Sequence, residues 1–222
     1  MPRIARITAA HYPHHVTQRG NNQADVFFED LDRIFYMETL KSLCEKWRVQ
    51  IWAYCLMTNH VHLLAVPETN ESLARCVGGT NLRYTQYVNR KYGRSGRLWQ
   101  NRFFSAIVEK DTCLWQVARY IEQNPMKAHL VDKPEDYPWS SCAANLSGKG
   151  DDLVNAGRWL DEQNRVAYGK FLMQDDSDIE QKIRWATAAG RPLGMDEFVK
   201  KLEVLFSRRL LPRKAGRPRK TK

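Results

Sequence analysis

Hydrophobic and polar residues recur along the chain with two spacings, one typical of strands and the other typical of amphipathic helices. Residues 14–19 alternate in character and end at a Gly-Asn-Asn sequence, which predicts a strand followed by a turn. Between residues 30 and 47 apolar side chains recur every three or four positions, which predicts a helix. The β-rich runs 49–57 and 61–66, separated by a short polar segment, predict an antiparallel pair of strands.

The same reasoning extends to the middle of the chain. It predicts a second helix over residues 71–92, a fourth strand over 103–108 and a third helix from Asp111 to about Asn124. The order strand, helix, strand, strand, helix, strand is that of the ferredoxin-like split βαβ unit. The sequence therefore predicts an α+β fold in which residues 1–145 form a ferredoxin-like core with an antiparallel sheet and one added helix.

The C-terminal third differs in composition from this core. Residues 147–152 resemble a linker, and residues 146–206 have helical spacings that predict a helical appendage without obvious chemistry. Residues 207–222 are rich in basic residues and contain proline and glycine, which predicts a flexible basic tail.

Positive charge is concentrated in two blocks. The chain holds 35 basic and 25 acidic residues and has a net charge of +10. Residues 207–222 contribute +8, and residues 75–110 contribute +7 and are interleaved with aromatic residues. Such blocks are typical of phosphate-binding surfaces with rings that stack on unpaired bases, although a solvated helix face is the alternative. The candidate DNA contacts are Arg19, Arg83, Tyr84, Tyr87, Arg90, Lys91, Arg97, Trp99, Arg102, Arg217 and Arg219.

Several classes of protein lack support in the sequence. No apolar run approaches the roughly 18 residues of a membrane-spanning helix, and the first fifteen residues contain no signal-like apolar segment. The five cysteines are odd in number and widely spaced, which predicts reduced and mostly buried thiols. Phosphate-loop, dinucleotide, zincin and deaminase motifs are absent. We therefore expect a cytoplasmic, nucleoid-associated protein that needs no nucleotide cofactor and does not bind a membrane.

The first candidate for chemistry is the sequence His60-Val61-His62 on a predicted strand. Residues i and i+2 of a strand share a face, so both imidazoles point the same way while Val61 points into the core. Two co-facing imidazoles form half of a divalent-metal site, and a third ligand has to come from another element. The alternative is a pair of hydrogen-bonded strand histidines.

Tyr120 and Asn124 are the second candidate pair. They lie four residues apart, and therefore share one face of the third predicted helix, with Pro125 placing Asn124 at its carboxyl end. The negative end of a helix favours a cation. A metal that polarises a phosphate makes attack by a tyrosine feasible, although Tyr120 taken alone also fits a core position. Tyr84, Tyr87 and Tyr92 are rival nucleophiles by composition.

Together these segments resemble the HUH single-tyrosine transposases, of the IS200-like family. The resemblance rests on Met57 to Leu64 (MTNHVHLL), Leu98 to Phe103 (LWQNRF) and Arg119 to Pro125 (RYIEQNP). The early HVTQRGNN, the later YPWSS and the GRPR of the tail narrow it to the REP-associated tyrosine transposases. It covers about residues 1–145 well and the tail loosely.

The resemblance implies an HUH endonuclease fold and a metal-dependent endonuclease and strand transferase for single-stranded DNA. Its substrates are repetitive extragenic palindromic (REP) hairpins. It implies that His60 and His62 bind the metal, that Asn124 is the third ligand, and that Tyr120 forms a 5′-phosphotyrosine and leaves a 3′-hydroxyl. The usual ion is Mg²⁺ or Mn²⁺, and because imidazole is softer than Mg²⁺ prefers, we expect Mn²⁺ to serve better in vitro.

Three alternatives remain open at this point. The protein could be a domesticated, non-catalytic hairpin-binding protein, a metal nuclease that uses water as the nucleophile, or a helix-turn-helix transcription factor. The last is disfavoured because a strand follows the basic block. Relatives include monomers and dimers, so the sequence allows either a monomer or a homodimer.

Overall fold

The computed structural model describes residues 6–149, 151–154 and 159–211. The four strands are β1 (His14–Arg19), β2 (Val49–Met57), β3 (His60–Pro67) and β4 (Phe104–Ile107). The α-helices are α1 (Asp30–Trp47), α2 (Ser72–Lys91), α3 (Lys110–Glu122), α4 (Asn124–Lys127), α5 (Cys142–Ser147), α6 (Glu162–Leu172), α7 (Ser177–Ala189) and α8 (Asp196–Leu205). Two short 3₁₀ turns cover Asn21–Gln23 and Pro134–Asp136. Within the described residues no helix is both long and apolar enough to cross a membrane.

The strands form one antiparallel sheet in the order β2-β3-β1-β4. This order and the chain order of the six core elements are those of a ferredoxin-like split βαβ unit, so the predicted α+β fold class is confirmed. The register between β1 and β3 places Thr17 opposite His62 and His15 opposite Leu64. Residues from the two strands therefore meet at the centre of the sheet.

Both faces of the sheet are covered by helices. On one face, Val61, Leu63 and Ala65 of β3 belong to a buried cluster with side chains of α1 and α2. On the other face, Leu64 and Val66 join a second cluster formed with α3, α5, α6 and α7. The alternation of side chains along β3 therefore directs each set into a different core.

The edges of the sheet are also covered. The backbone N–H of Leu56 donates to the carbonyl of Trp139 at 2.9 Å beside β2. Beside β4, the N–H of Leu193 donates to the carbonyl of Ile107 at 2.7 Å, and the N–H of Glu109 donates to the carbonyl of Leu193 at 2.8 Å. These bonds satisfy polar groups that an open edge would expose. They also fix the segment after α7 to the sheet.

The C-terminal helices pack on the sheet. Tyr168 and Leu172 of α6 and Ile183 of α7 are buried in the cluster that contains the sheet residues Leu64 and Val66. The predicted domain boundary at residue 145 falls inside α5. Residues of α7 also line the pocket described below.

Two smaller predictions also need correction. The third helix ends at Glu122, and Asn124 begins the separate short helix α4, because Pro125 cannot continue the hydrogen-bonded ladder of α3. Within the basic segment 207–222, Leu210 is buried with Ile107 and is thus packed on the core. Residues 212–222 lie outside the described residues.

A buried carboxylate joins the added helices to the core. Glu122, at the end of α3, is fully buried and accepts hydrogen bonds from Ser141 Oγ at 2.6 Å, Asn145 Nδ2 at 2.6 Å and the Tyr168 hydroxyl at 2.7 Å. Burial raises the pKa of Glu122, and the three donors oppose that rise. A single side chain thus connects α3, α5, α6 and the segment beside β2.

We predict that Tyr168→Phe lowers the free energy of unfolding by about 1.5–3 kcal/mol, because it removes a buried hydrogen bond to an ionisable carboxyl group. Urea unfolding followed by circular dichroism measures the change. Tyr12→Phe is the control, since Tyr12 is exposed, and we expect it to change stability by less than about 0.5 kcal/mol. Equal effects of the two substitutions would contradict the assigned role of Glu122.

Candidate active site

One pocket contains the candidate residues of the sequence motifs. It lies between the sheet, helix α3 and helix α7. Its lining consists of His15, Thr17, Arg19, His60, His62, Gln100, Phe104, Tyr120, Asn124, Arg184, Thr187 and Ala188. The structure therefore brings together the four residues predicted from the histidine and tyrosine motifs.

His60 and His62 share a face of β3, as the alternation of a strand requires, while Val61 points into the opposite core. Their ring centroids are 4.9 Å apart and their planes are nearly perpendicular. Nδ1 of His60 is 2.6 Å from Oδ1 of Asn59, so it donates a hydrogen bond to that amide and leaves Nε2 free. Burial lowers the pKa of His60 to about 4 and that of His62 well below its ordinary value. Both rings are consequently neutral at physiological pH, which is the state that binds metals.

Tyr120 lies directly against the imidazoles. Its ring is 5.4 Å from the ring of His62 and 5.5 Å from that of His15, in both cases at 88°. Burial raises the pKa of the Tyr120 hydroxyl, and the guanidinium groups of Arg184 and Arg19 oppose that rise. The phenol is thus protonated at neutral pH and lies in a positively charged surrounding.

Asn124 is the first residue of α4, which follows the end of α3 at Glu122. This junction places the Asn124 side chain close to Tyr120. Its Nδ2 donates to the carbonyls of Tyr120 at 2.5 Å and Ile121 at 3.3 Å. The amide nitrogen is thereby directed at the backbone, which leaves Oδ1 as the group that can face a ligand. His60 and Asn124 line the same pocket, so both can approach one ligand there.

The donor set fits a divalent metal of intermediate softness. Two neutral imidazoles and one amide oxygen provide nitrogen and oxygen ligands of the kinds that first-row metals accept. The described part of the chain contains no group of three histidine, cysteine or acidic side chains that could hold a metal.

Reasoning from the sequence did not single out His15, Arg184 or Thr187, which also line this pocket. His15 Nε2 lies 3.0 Å from His62 Nδ1, and its Nδ1 lies 2.7 Å from Thr187 Oγ1. The guanidinium of Arg184 lies 5.7 Å from the centroid of the Tyr120 ring. His15 could have been found from the alternation of β1, which gives it the same face as Arg19. Thr187 and Arg184 are distant in sequence, and no local pattern marks them.

The basic and aromatic residues predicted to contact DNA divide into side chains that make contacts within the protein and arginines that are exposed. The prediction of stacking on bases is wrong for Tyr84, which is fully buried and donates to the carbonyl of Val26 at 2.6 Å. It is also wrong for Trp99, which is 7% exposed and donates to the carbonyl of Asn81 at 3.2 Å. Both rings complete the hydrophobic core beneath α2.

Tyr87 and Lys91 are also committed to contacts within the protein. The Tyr87 hydroxyl donates to Asp32 Oδ1 at 3.2 Å, and its ring stacks on Phe35 with centroids 3.9 Å apart. Lys91 forms ion pairs with Asp32 at 2.7 Å and with Glu29. The charge of Lys91 is therefore balanced locally and is not available as a free phosphate contact.

The remaining candidates are exposed arginines. Two of them, Arg83 and Arg90, lie on α2, and two more, Arg97 and Arg102, lie on the loop that follows it. Arg19 lies at the mouth of the pocket. The N–H of Gln100 donates to the carbonyl of Arg19 at 2.9 Å, which connects that loop to the pocket. Arg217 and Arg219 lie outside the described residues.

Comparison with known proteins gives a consistent result. The profile of the IS200-like transposase family matches residues 8–124, which is more than half of the chain. A Haemophilus influenzae protein, provisionally named a REP-associated tyrosine transposase, is 28% identical over 116 residues. That alignment covers 48% of this chain and 66% of that protein, which is less than two thirds of its length.

Two solved structures are also similar. One is a REP-associated tyrosine transposase bound to a REP hairpin, with a TM-score of 0.59 and 17% identity, and the match covers 72% of this chain and 94% of that one. The other is a protein of Deinococcus radiodurans provisionally described as a transposase, with a TM-score of 0.38 and 16% identity over 55% of this chain and 97% of that one. The first supports the fold, and the second is too distant to support an argument. From the family profile and the pocket that its motifs form, the chain belongs to the IS200-like transposases.

Proposed function

We propose that the protein is a metal-dependent endonuclease and strand transferase for single-stranded DNA. It acts at palindromic repeat hairpins and forms a 5′-phosphotyrosine through Tyr120. The observation that carries this proposal is the packing of the Tyr120 ring against His62, 5.4 Å away, in a pocket that also holds His60 and Asn124.

The proposed step is an exchange of one phosphate ester for another. Tyr120 Oη attacks the scissile phosphorus, the P–Oη bond forms, and the bond from phosphorus to the 3′ oxygen breaks. The phenol loses one proton and the departing 3′ oxygen gains one. Because the ester bond is retained, the step needs no nucleotide hydrolysis, and it can run in reverse to join strands.

His60, His62 and Asn124 are the residues that would hold the metal. A bound Mg²⁺ or Mn²⁺ polarises the phosphate and makes it more susceptible to attack. The three side chains come from β3 and from the junction of α3 and α4, and they line the same pocket as Tyr120. Arg19 and Arg184, both exposed on the pocket lining, supply positive charge for the same phosphate.

Hairpin DNA is the proposed substrate class because exposed arginines continue from the pocket along the loop after α2. The solved relative is described as bound to a REP hairpin, which supports the same class of DNA here. Binding without cleavage would indicate instead the domesticated, non-catalytic protein. The proposal leaves monomer and homodimer open, since one active site forms one covalent end.

We predict that Tyr120→Phe abolishes the denaturant-resistant adduct between the protein and a labelled hairpin strand in Mn²⁺, because the variant lacks the attacking oxygen. Hairpin affinity should stay within about threefold, since the ring is kept and the phosphate contacts dominate binding. Tyr87→Phe is the control and should form the adduct, because the Tyr87 hydroxyl contacts Asp32 outside the pocket. An adduct that persists in Tyr120→Phe would assign the nucleophile to another tyrosine.

We predict that His60→Ala weakens Mn²⁺ binding by more than about 100-fold, since loss of a direct ligand should exceed the usual effect of losing an outer partner. Isothermal titration of the DNA-free protein measures this, and gel-shift titration should give hairpin affinity within a few-fold of the parent. His129→Ala, at an exposed position, should change neither. Unaltered Mn²⁺ affinity in His60→Ala would remove the metal-site assignment.

We predict opposite signatures for two neighbouring cations. Arg97→Gln removes an exposed charge and should reduce the slope of log affinity against log salt by about 0.7 to 0.9 if it contacts one phosphate. Lys91→Met removes the ion pair with buried Asp32, so it should lower the Tm and leave that slope unchanged. The salt series and a thermal melt are measured on both variants. If Lys91→Met changed the salt slope and Arg97→Gln did not, the DNA surface would lie on the side of α2 that faces α1.

A further inference from the structure

A chain of hydrogen bonds connects helix α7 to the proposed metal site. Thr187 Oγ1 lies 2.7 Å from His15 Nδ1, and His15 Nε2 lies 3.0 Å from His62 Nδ1. All three side chains are nearly inaccessible, with exposures of 1% for Thr187, 1% for His15 and 4% for His62. Water therefore has little access to these side chains and cannot easily replace one of them as a hydrogen-bond partner.

The two rings are arranged for this contact. Their planes differ by 4° and their centroids are 5.2 Å apart, while the Tyr120 ring stands at 88° to both. Parallel planes joined by a 3.0 Å contact between ring nitrogens are those of two imidazoles that share one N–H···N hydrogen bond. The pair also forms a flat wall beside the proposed nucleophile.

The hydrogen bonds from His62 through His15 to Thr187 can run in two directions of donation, and only one of them leaves His62 able to bind a metal. The contact with His15 uses Nδ1 of His62, so Nε2 is the nitrogen left for a ligand. If His62 donates from Nδ1, its Nε2 carries a lone pair and His15 must carry its own proton on Nδ1. That proton needs an acceptor, and Thr187 Oγ1 is 2.7 Å away. In the reverse direction the proton of His62 is on Nε2 and blocks a metal.

Thr187 is held firmly enough to have this role. Helix α7 begins at the capping residue Asp176, whose side chain accepts from the N–H of Ile179. After the helix, Leu193 exchanges backbone hydrogen bonds with Ile107 and Glu109 at the edge of the sheet. The hydroxyl therefore has a fixed position relative to β1 and β3.

We propose that Thr187 is a positioning residue which, through His15, keeps the proton of His62 on Nδ1 and leaves Nε2 directed at the ligand. This inference rests on the proposed metal site, since it explains how that site is prepared. It assigns a role to a helix beyond residues 8–124, the part that matches the family profile.

The tautomer of His62 can be observed without metal or DNA. Long-range ¹H–¹⁵N spectra of the full chain, labelled at histidine, distinguish a protonated Nδ1 from a protonated Nε2. We expect Nδ1–H in the parent protein and in Thr187→Ser, and a shift of the proton to Nε2 in Thr187→Val. A proton on Nε2 of His62 in the parent would overturn the proposal, even if a variant failed to fold.

Metal affinity gives the second readout. Titration with Mn²⁺ alone should give binding about 10- to 100-fold weaker in Thr187→Val, the range typical of lost partners of metal ligands. Thr187→Ser should restore affinity to within about threefold, because it keeps the hydroxyl. Thr80→Val is the matched control, since Thr80 is a buried helical threonine that donates to Cys76 in α2. Equal affinities in Thr187→Val and Thr80→Val would overturn the proposal.

One further variant separates this proposal from the one on which it depends. His62→Ala should lose Mn²⁺ binding. If His62→Ala binds Mn²⁺ as the parent does, the metal site itself is wrong, and both proposals fail. If His62→Ala loses binding while Thr187→Val retains it, the positioning role fails and the metal site stands.

Discussion

A four-stranded sheet has two faces, and the burial of the second face determines where the candidate site of this protein lies. Helices α1 and α2 cover one face, as expected of a ferredoxin-like unit, and α3, α6 and α7 cover the other. Because side chains alternate along β3, Val61 stabilises the first core while His60 and His62 enter the second layer. The imidazoles are desolvated there, and this is why their pKa values are low and their rings neutral.

The C-terminal region can take part in the site because it is anchored at several independent points. Glu122 accepts hydrogen bonds from three buried donors, one of them Tyr168 of α6. Leu193 is paired with the end of β4, and α7 lies between these two attachments. An element fixed at both sides keeps a side chain such as Thr187 within the narrow distance range that a hydrogen bond demands.

Much of the fold was predictable from the sequence because it depends on local periodicity. The strands and helices of the core begin and end within a few residues of the predicted positions, apart from the helix interrupted at Pro125. That His60 and His62 share one face of β3 follows from the alternation of side chains along a strand alone. Their meeting with Tyr120 depended on the family resemblance, since spacing says nothing about how β3 and α3 pack.

The errors have two physical origins. Tyr84 and Trp99 lie among basic residues, and this composition favours contact with DNA. However, Val77, Tyr84 and Val88 recur at intervals of seven and four positions along α2 and form its buried side. The periodicity of the helix was therefore a better guide than its composition. His15 and Thr187 are separated by 172 positions, and a contact of that kind arises only when the tertiary structure forms.

The charge of the pocket explains why such a site suits a phosphate. None of the described residues that line it is acidic, and the three candidate ligands are neutral. Carboxylate ligands would repel the phosphate and reduce the positive charge of a cation, whereas imidazole and amide ligands do neither. Arg19 and Arg184 at the rim add positive charge, and Glu180, which pairs with Arg184 at 3.7 Å, is not part of the lining. Neutral ligands attract a cation less strongly than carboxylates do, so a metal held by these residues would depend on each imidazole presenting its unprotonated nitrogen.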